Sequence, residues 1–277
     1  MQKLVVDVGL YDGEDSAYYL KCGYRVLGID ADPMVVARCT AKFEREIASG
    51  QVTLLNVGIA EREQTLTFYR NLSEEGQSSF FPEYGQRGGE FVSMEVRCIP
   101  LRQVLETYGI PYYLKVDIEG MDEVAISSLD RASAPEYLSA ELSRSSKIIE
   151  HLHSIGYRHF KLINQAYHTT STPVFPDEFG WRMLRKAGRA VPPLKKAIGL
   201  LPWRMRPKME WDSPYVVDGE VLGANRTGPF GDKTHGRWIG PEQAAALLHR
   251  IGETESQESG ALWWDVHAAK TLTNSSD

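Results

Sequence analysis

Along the first 165 residues, apolar positions fall into short blocks that alternate between two periods. Residues 4–8 (LVVDV) read as a strand, 9–13 as a turn, 14–21 as a helix, and 24–29 as a second strand ending on Asp30. A helix follows over 33–48, with Pro33 suited to a first helical position. Residues 51–57 (QVTLLNV) form a β-branched strand. Segments 65–69 and 93–98 predict added β structure around a loop, 76–89, whose Gly, Ser and Gln content keeps it out of the core. A helix over 101–108, a strand over 112–116, a helix from 121, a strand over 137–142, a helix over 146–154 and a strand over 159–163 complete the series.

This alternation predicts an α/β doubly wound sheet, with ligands at the carboxyl ends of its strands. After residue 165 it stops, apart from a helix near 241–251. All six tryptophans and most of the prolines lie in this part. The expected organisation is therefore a ligand-binding domain over 1–165 and an elaboration over 166–277 that packs onto the sheet and closes the site.

Composition changes this picture little. Hydrophobic content of 42% and charged content of 25% fit a globular domain rather than a disordered chain. Three scattered cysteines argue against a disulfide framework or a zinc site. The first residues reach Asp7 after a short apolar run, unlike a leader peptide, and no apolar run reaches the length of a membrane span. The expected location is cytoplasmic.

Charge adds an asymmetry. Residues 181–208 carry nine Lys/Arg and no Asp or Glu, leaving 22 basic against 37 acidic residues elsewhere. Three readings stand open for this stretch: a solvated surface, a phosphate-binding wall, or a segment lying on an anionic membrane through Leu194, Ile198, Leu200, Leu201 and Trp203. No nucleic-acid module accompanies the charge, so no nucleic-acid partner is expected.

The first thirty residues carry the clearest chemistry. An apolar strand, a Gly-bounded turn and a helix N-terminus make a cradle for a nucleotide-like ligand, and an acidic residue closing the next strand can accept ribose hydroxyls. The turn is G-x-x-x-G rather than G-x-G-x-x-G, and Asp7 and Asp12 put carboxylates beside it. Carboxylates suit the sulfonium of S-adenosylmethionine better than a pyrophosphate, with a dinucleotide as the alternative. Lys115, Asp117 and Glu119 alternate at the end of a later strand, on one side of the same cleft; Asp117 as a helix N-cap is the plainer reading.

The chain resembles the FkbM family of S-adenosylmethionine-dependent methyltransferases. The resemblance rests on DVGLYDGEDSAYYL (7–20), VLGIDADP (26–33), NVGIAE (56–61), GQSSF (76–80), VRCIPL (96–101), KVDIEGMDEVAI (115–126) and FKLIN (160–164). TGPFG (227–231), GRWI (236–239) and WWDVHA (263–268) match more loosely. It implies a class I methyltransferase (Rossmann-like) sheet with a Trp/Pro-rich C-terminal elaboration, and O-methylation of a hydroxylated small molecule, glycan or glycolipid. It assigns Asp7, Gly9, Asp12 and Gly13 to the cofactor loop, with Asp15 and Ser16 opening the next helix. Asp30 takes the ribose position, followed by Ala31 and Asp32. Gly58, Ile59 and Ala60 would lie by the adenine, and Ser78 and Ser79 near the active site.

Methyl transfer to a hydroxyl needs the oxygen held in line with the methyl, and a group to take its proton. Asp117 and Glu119 are the candidates, Lys115 an orienting charge, and His168 a second base. Glu141 and Asn164, at the ends of later strands, complete the acceptor side. No metal is expected, although Asp117, Glu119 and Glu141 have the ligand type for a divalent cation. The rival functions are a nicotinamide-dependent oxidoreductase and a cofactor-binding module without catalysis.

Overall fold

The computed structural model describes residues 2–142, 147–165, 169–170, 215–217, 220–222, 226–255 and 264–272. His168 and the basic stretch 181–208 lie outside them.

An eight-stranded sheet forms the centre. Its strands are β1 (Leu4–Val8), β2 (Arg25–Asp30), β3 (Val52–Asn56), β7 (Tyr113–Val116), β8 (Tyr137–Glu141), β9 (His159–Asn164), β10 (Thr169–Thr170) and β13 (Trp264–Ala269), in the order β10-β9-β13-β8-β7-β1-β2-β3. The run from β3 to β8 is parallel, and β13 is antiparallel to both its neighbours. The strand order reverses between β1 and β7, so a crevice opens at their carboxyl ends.

Helices cover both faces: α1 (Glu14–Lys21), α2 (Pro33–Lys42), α3 (Glu44–Ala48), α5 (Leu101–Tyr108), α6 (Asp122–Ser127), α7 (Lys147–Ser154) and α8 (Pro241–Glu255). The period of two divides each strand between two cores. Val6, Val8, Leu114 and Val116 pack with Leu101, Leu105, Ile126 and Ile149. Val5 and Tyr113 face the other way, onto Tyr18, Tyr19 and Phe43. A three-stranded sheet of β4 (Gly58–Ile59), β5 (Gln64–Asn71) and β6 (Phe91–Ile99) and a hairpin of β11 (Tyr215–Val217) and β12 (Glu220–Leu222) complete the strands described.

Three expectations need correction. The helix over 33–48 divides at Phe43, whose backbone (φ −109°, ψ 25°) leaves the helical region while its ring is buried against the α1 turn. The loop 76–89 is tied to the core: it includes α4 (Pro82–Gly85), Ser79 is buried, and Phe80 and Phe81 pack on the β4–β6 cluster. The central sheet also does not end near residue 165. Residues Trp264–Ala269, all buried, insert between β8 and β9 and complete the pairing of both. Among the described residues, no helix is long and apolar enough to cross a membrane.

Candidate active site

The site is built on the turn after β1. Gly9 adopts φ 93°, and a Cβ there would meet the Asp117 carbonyl oxygen at 1.8 Å. Only glycine lets the turns after β1 and β7 approach so closely. Gly13, at φ 73°, caps α1. Asp30 holds the turn from the side: one carboxylate oxygen accepts from the Leu10 N–H at 2.9 Å and the Tyr11 N–H at 3.4 Å, the other from the Asp32 N–H at 2.8 Å. Burial pushes the Asp30 carboxyl up to about 6.

Beneath the turn lies a closed charge network. Asp7 is fully buried; its carboxylate accepts from Ser16 Oγ at 2.6 Å and pairs with Lys115 Nζ at 3.2 Å. Lys115 Nζ also reaches the Gly9 carbonyl at 3.1 Å, Asp15 at 3.3 Å and Asp117 at 3.7 Å. Burial disfavours the Lys115 charge, but Asp7, Asp15 and Asp117 more than offset this and raise its pKa well above the ordinary value. Asp7, Asp15 and Ser16, expected beside the cofactor, thus hold the loop from below. Lys115, expected to orient the acceptor, is committed to the same task.

Other expected residues also have structural partners. Asp32 caps α2 through the Met34 N–H at 2.8 Å and pairs with Arg70 Nε at 2.7 Å. Gly58, Ile59 and Ala60 are buried in or beside β4, where a Cβ on Gly58 would meet the Phe80 ring at 2.5 Å; Ala31 packs on the same cluster. Ser78 Oγ accepts from the Asn71 N–H at 3.1 Å. Ser79 Oγ donates to the Glu119 carbonyl at 2.7 Å and accepts from the Phe81 N–H at 3.0 Å, tying the 76–89 loop to Glu119.

At the strand ends the balance of charge reverses. Asp117, Glu119 and Glu141 each present an oxygen within 4.8 Å of the others. Glu119 does so from a left-handed backbone (φ 46°) beyond the strand, not by strand alternation. Asp122 stands close by, accepting from the Ile118 N–H at 3.3 Å and the Gly120 N–H at 3.2 Å. Asp265 on β13 is paired in register with Glu141. Burial, then repulsion from Asp117 and Asp122, pushes Glu119 up to about 8, with Arg87 opposing. Burial and Asp117 push Asp122 up to about 7. Glu141 and Asp265 are raised well above the carboxylate range by burial and by the same neighbours. Asn164, on β9 opposite Trp264, stands two strands from Glu141, outside the three-carboxylate group.

The sequence reading missed several parts. Asp122 and Asp265 join the carboxylates, and the Gln165 amide donates to Asp265. A C-terminal segment straps the β1–α1 turn: Arg226 pairs with Asp12 and lies over the Tyr11 ring at 5.3 Å. The Gly228 N–H donates to Asp15 at 3.1 Å, Tyr19 Oη donates to the Gly228 carbonyl at 3.0 Å, and Phe230 stacks on Tyr113 at 4.0 Å. The TGPFG match was the available signal for this strap, although nothing in it marks Arg226.

A glycine-permitted turn, an acidic residue closing β2 and a carboxylate group beyond β7 and β8 thus meet at the switch point of the sheet. The family described as "Methyltransferase FkbM domain" matches residues 7–159, more than half of the chain. A search of curated proteins found no match. Similar solved structures include methyltransferase FkbM from Methylobacillus flagellatus KT, at 18% identity and a TM-score of 0.36, covering 50% of this chain and 32% of that one. A TehB-like SAM-dependent methyltransferase from Corynebacterium glutamicum ATCC 13032 Kitasato matches at 11% identity and a TM-score of 0.33, covering 58% and 69%. Haemonchus contortus phospholethanolamine N-methyltransferase 2 matches at 9% identity and a TM-score of 0.39, covering 98% and 50%. The chain thus spans about a third of the length of the first of these.

Proposed function

The chain belongs to the FkbM methyltransferase family and has the class I methyltransferase sheet, and on that premise we propose that it methylates a hydroxyl of a sugar-containing or natural-product acceptor, with S-adenosylmethionine as donor. The carrying observation is the Asp117–Glu119–Glu141 group beside the β1–α1 turn, with Glu119 pushed up to about 8. A carboxylate in that range can take and return a proton near neutral pH.

The donor set suits the cofactor. The cation nearest the carboxylates, Lys115, is already shared among Asp7, Asp15 and Asp117, so the cleft favours a cationic ligand over a pyrophosphate. Asp30 uses its oxygens to hold the turn, and a carboxylate has further lone pairs for ribose hydroxyls. When bound, S-adenosylmethionine supplies a methyl group on a sulfonium and leaves as S-adenosylhomocysteine. Glu119 takes the acceptor hydroxyl proton, and Asp117 and Glu141 position that hydroxyl.

Calorimetric titration with S-adenosylhomocysteine, with NADH as control, tests the donor. Micromolar binding of the former alone is expected; preference for NADH would return the site to the oxidoreductase reading. Transfer of labelled methyl to a panel of sugars and hydroxylated natural products then tests the acceptor class. Uptake only on amines or thiols would remove O-methylation.

A further inference from the structure

We propose that Asp117, Glu119 and Glu141 bind one hard divalent cation of the magnesium, manganese and calcium class, placed to receive the acceptor's hydroxyl; only that last placement rests on the methyltransferase reading. Ligands to one such ion, bonded at about 2.1–2.5 Å, lie no more than about 5 Å apart. The three carboxylates meet this limit, with oxygens within 4.8 Å of one another. They project from three supports: the turn after β7, the left-handed residue Glu119, and the end of β8.

A second observation is independent of the acidic cluster. Gln165 is 4% exposed, its amide nitrogen donates to Asp265, and its Oε1 has no hydrogen-bond partner among the described residues. Asp265 opposes Glu141 across the β8–β13 ladder, so the amide that it holds stands one strand away from Glu141. A buried carbonyl oxygen without a donor is costly, and a cation or the hydrogen of a water held by one would satisfy it. Amide and carboxylate oxygens are the ligands of hard cations. The three-residue group has no His or Cys to favour zinc or copper.

Charge points the same way. Asp117, Glu119, Asp122, Glu141 and Asp265 repel one another, and among the described residues Lys115 and Arg87 oppose them. Lys115 is divided among three carboxylates, and Asp117 is the most distant of them. A divalent ion would satisfy three carboxylates at once.

The test uses the full chain stripped of metal. Manganese(II) is titrated alone and followed by the electron paramagnetic resonance signal of the free ion, with S-adenosylhomocysteine affinity measured separately. One manganese per chain is expected, displaced by magnesium or calcium. Glu141→Gln and Glu119→Gln should each weaken it at least about tenfold, and Gln165→Leu by about tenfold as a supporting group. S-adenosylhomocysteine affinity within twofold of the parent certifies that each variant is folded. No binding by the parent at millimolar manganese overturns the site, as does equal binding by the parent and either carboxamide variant. Manganese binding without S-adenosylhomocysteine binding would uphold the site while removing the methyltransferase reading.

Discussion

Two clusters of carboxylates meet at Lys115, which pairs with Asp7 and Asp15 of one beneath the β1–α1 turn and with Asp117 of the other. Below the turn, Asp7 and Asp15 are buried, yet each has a named partner: Ser16 and Lys115 for Asp7, Lys115 and the Gly228 N–H for Asp15. Above it, Asp117, Glu119, Asp122, Glu141 and Asp265 share one fold neighbourhood with far less compensating charge. The residue types are the same. Burial raises Asp7 as it raises the upper carboxylates, but compensated charge serves to hold backbone, whereas uncompensated charge leaves a site for a ligand.

The sharpest way to break this comparison is to uncompensate the lower cluster. Lys115→Met leaves Asp7 and Asp15 buried without their cation, which costs about 3–5 kcal/mol. Denaturant unfolding should show this loss or a failure to fold. Unchanged stability would mean that the lower network holds nothing.

Glu119→Gln does the reverse to the upper cluster. It removes a proton acceptor, so turnover should fall about 10²–10⁴-fold, while repulsion is relieved. In the metal-free parent, the native state binds the Glu119 proton up to about 8, whereas the unfolded chain releases it near 4.5. That contribution to stability is therefore complete below about 4.5 and is lost as pH rises through about 8. Melting temperature should decline across this window in the parent and decline less in Glu119→Gln. Activity in the metal-free parent should rise as Glu119 ionises. Parallel stability profiles would exclude Glu119 as the titrating group.

Local chemistry made much of this legible in the sequence. The strand–Gly-turn–helix at 4–21 and the strand ending on Asp30 follow from period and glycine placement, and the structure gives β1, α1 and β2 nearly where they are expected. The nearness of Asp117 and Glu141 follows from strands that end in the same layer, and Glu119 joins them from a left-handed position beyond β7. What could not be read is long-range pairing. Lys115 looks like a third member of an alternating triad, but its partner Asp7 is 108 residues away and turns it inward. Arg226 reaches Asp12 across 214 residues. Residues Trp264–Ala269 complete a sheet whose neighbouring strands end at Glu141 and Asn164, far earlier in the chain, and nothing local in them specifies that slot.

Asp30 gives an intermediate effect, because it belongs to neither cluster. Its carboxylate holds the turn, and the proposed ribose role predicts that Asp30→Ala weakens S-adenosylhomocysteine binding by about 1–3 kcal/mol. Calorimetry that finds the parent's affinity would remove Asp30 from the cofactor site.

The smallest effect should come from Arg226, and its smallness tests the principle behind the larger ones. Arg226–Asp12 is an ion pair like Lys115–Asp7, with a buried cation, but the Asp12 side chain is 35% exposed whereas Asp7 has no exposure at all. In Arg226→Gln, water can replace the lost partner of Asp12, and the discounted cost is about 1 kcal/mol or less. The strap keeps its other ties through Gly228 and Phe230, so cofactor affinity should fall only about threefold, or about 0.7 kcal/mol. A loss as large as that of Lys115→Met would mean that solvent access to the carboxylate does not set the value of an ion pair here. The strap would then have to be counted with the buried network rather than with the surface.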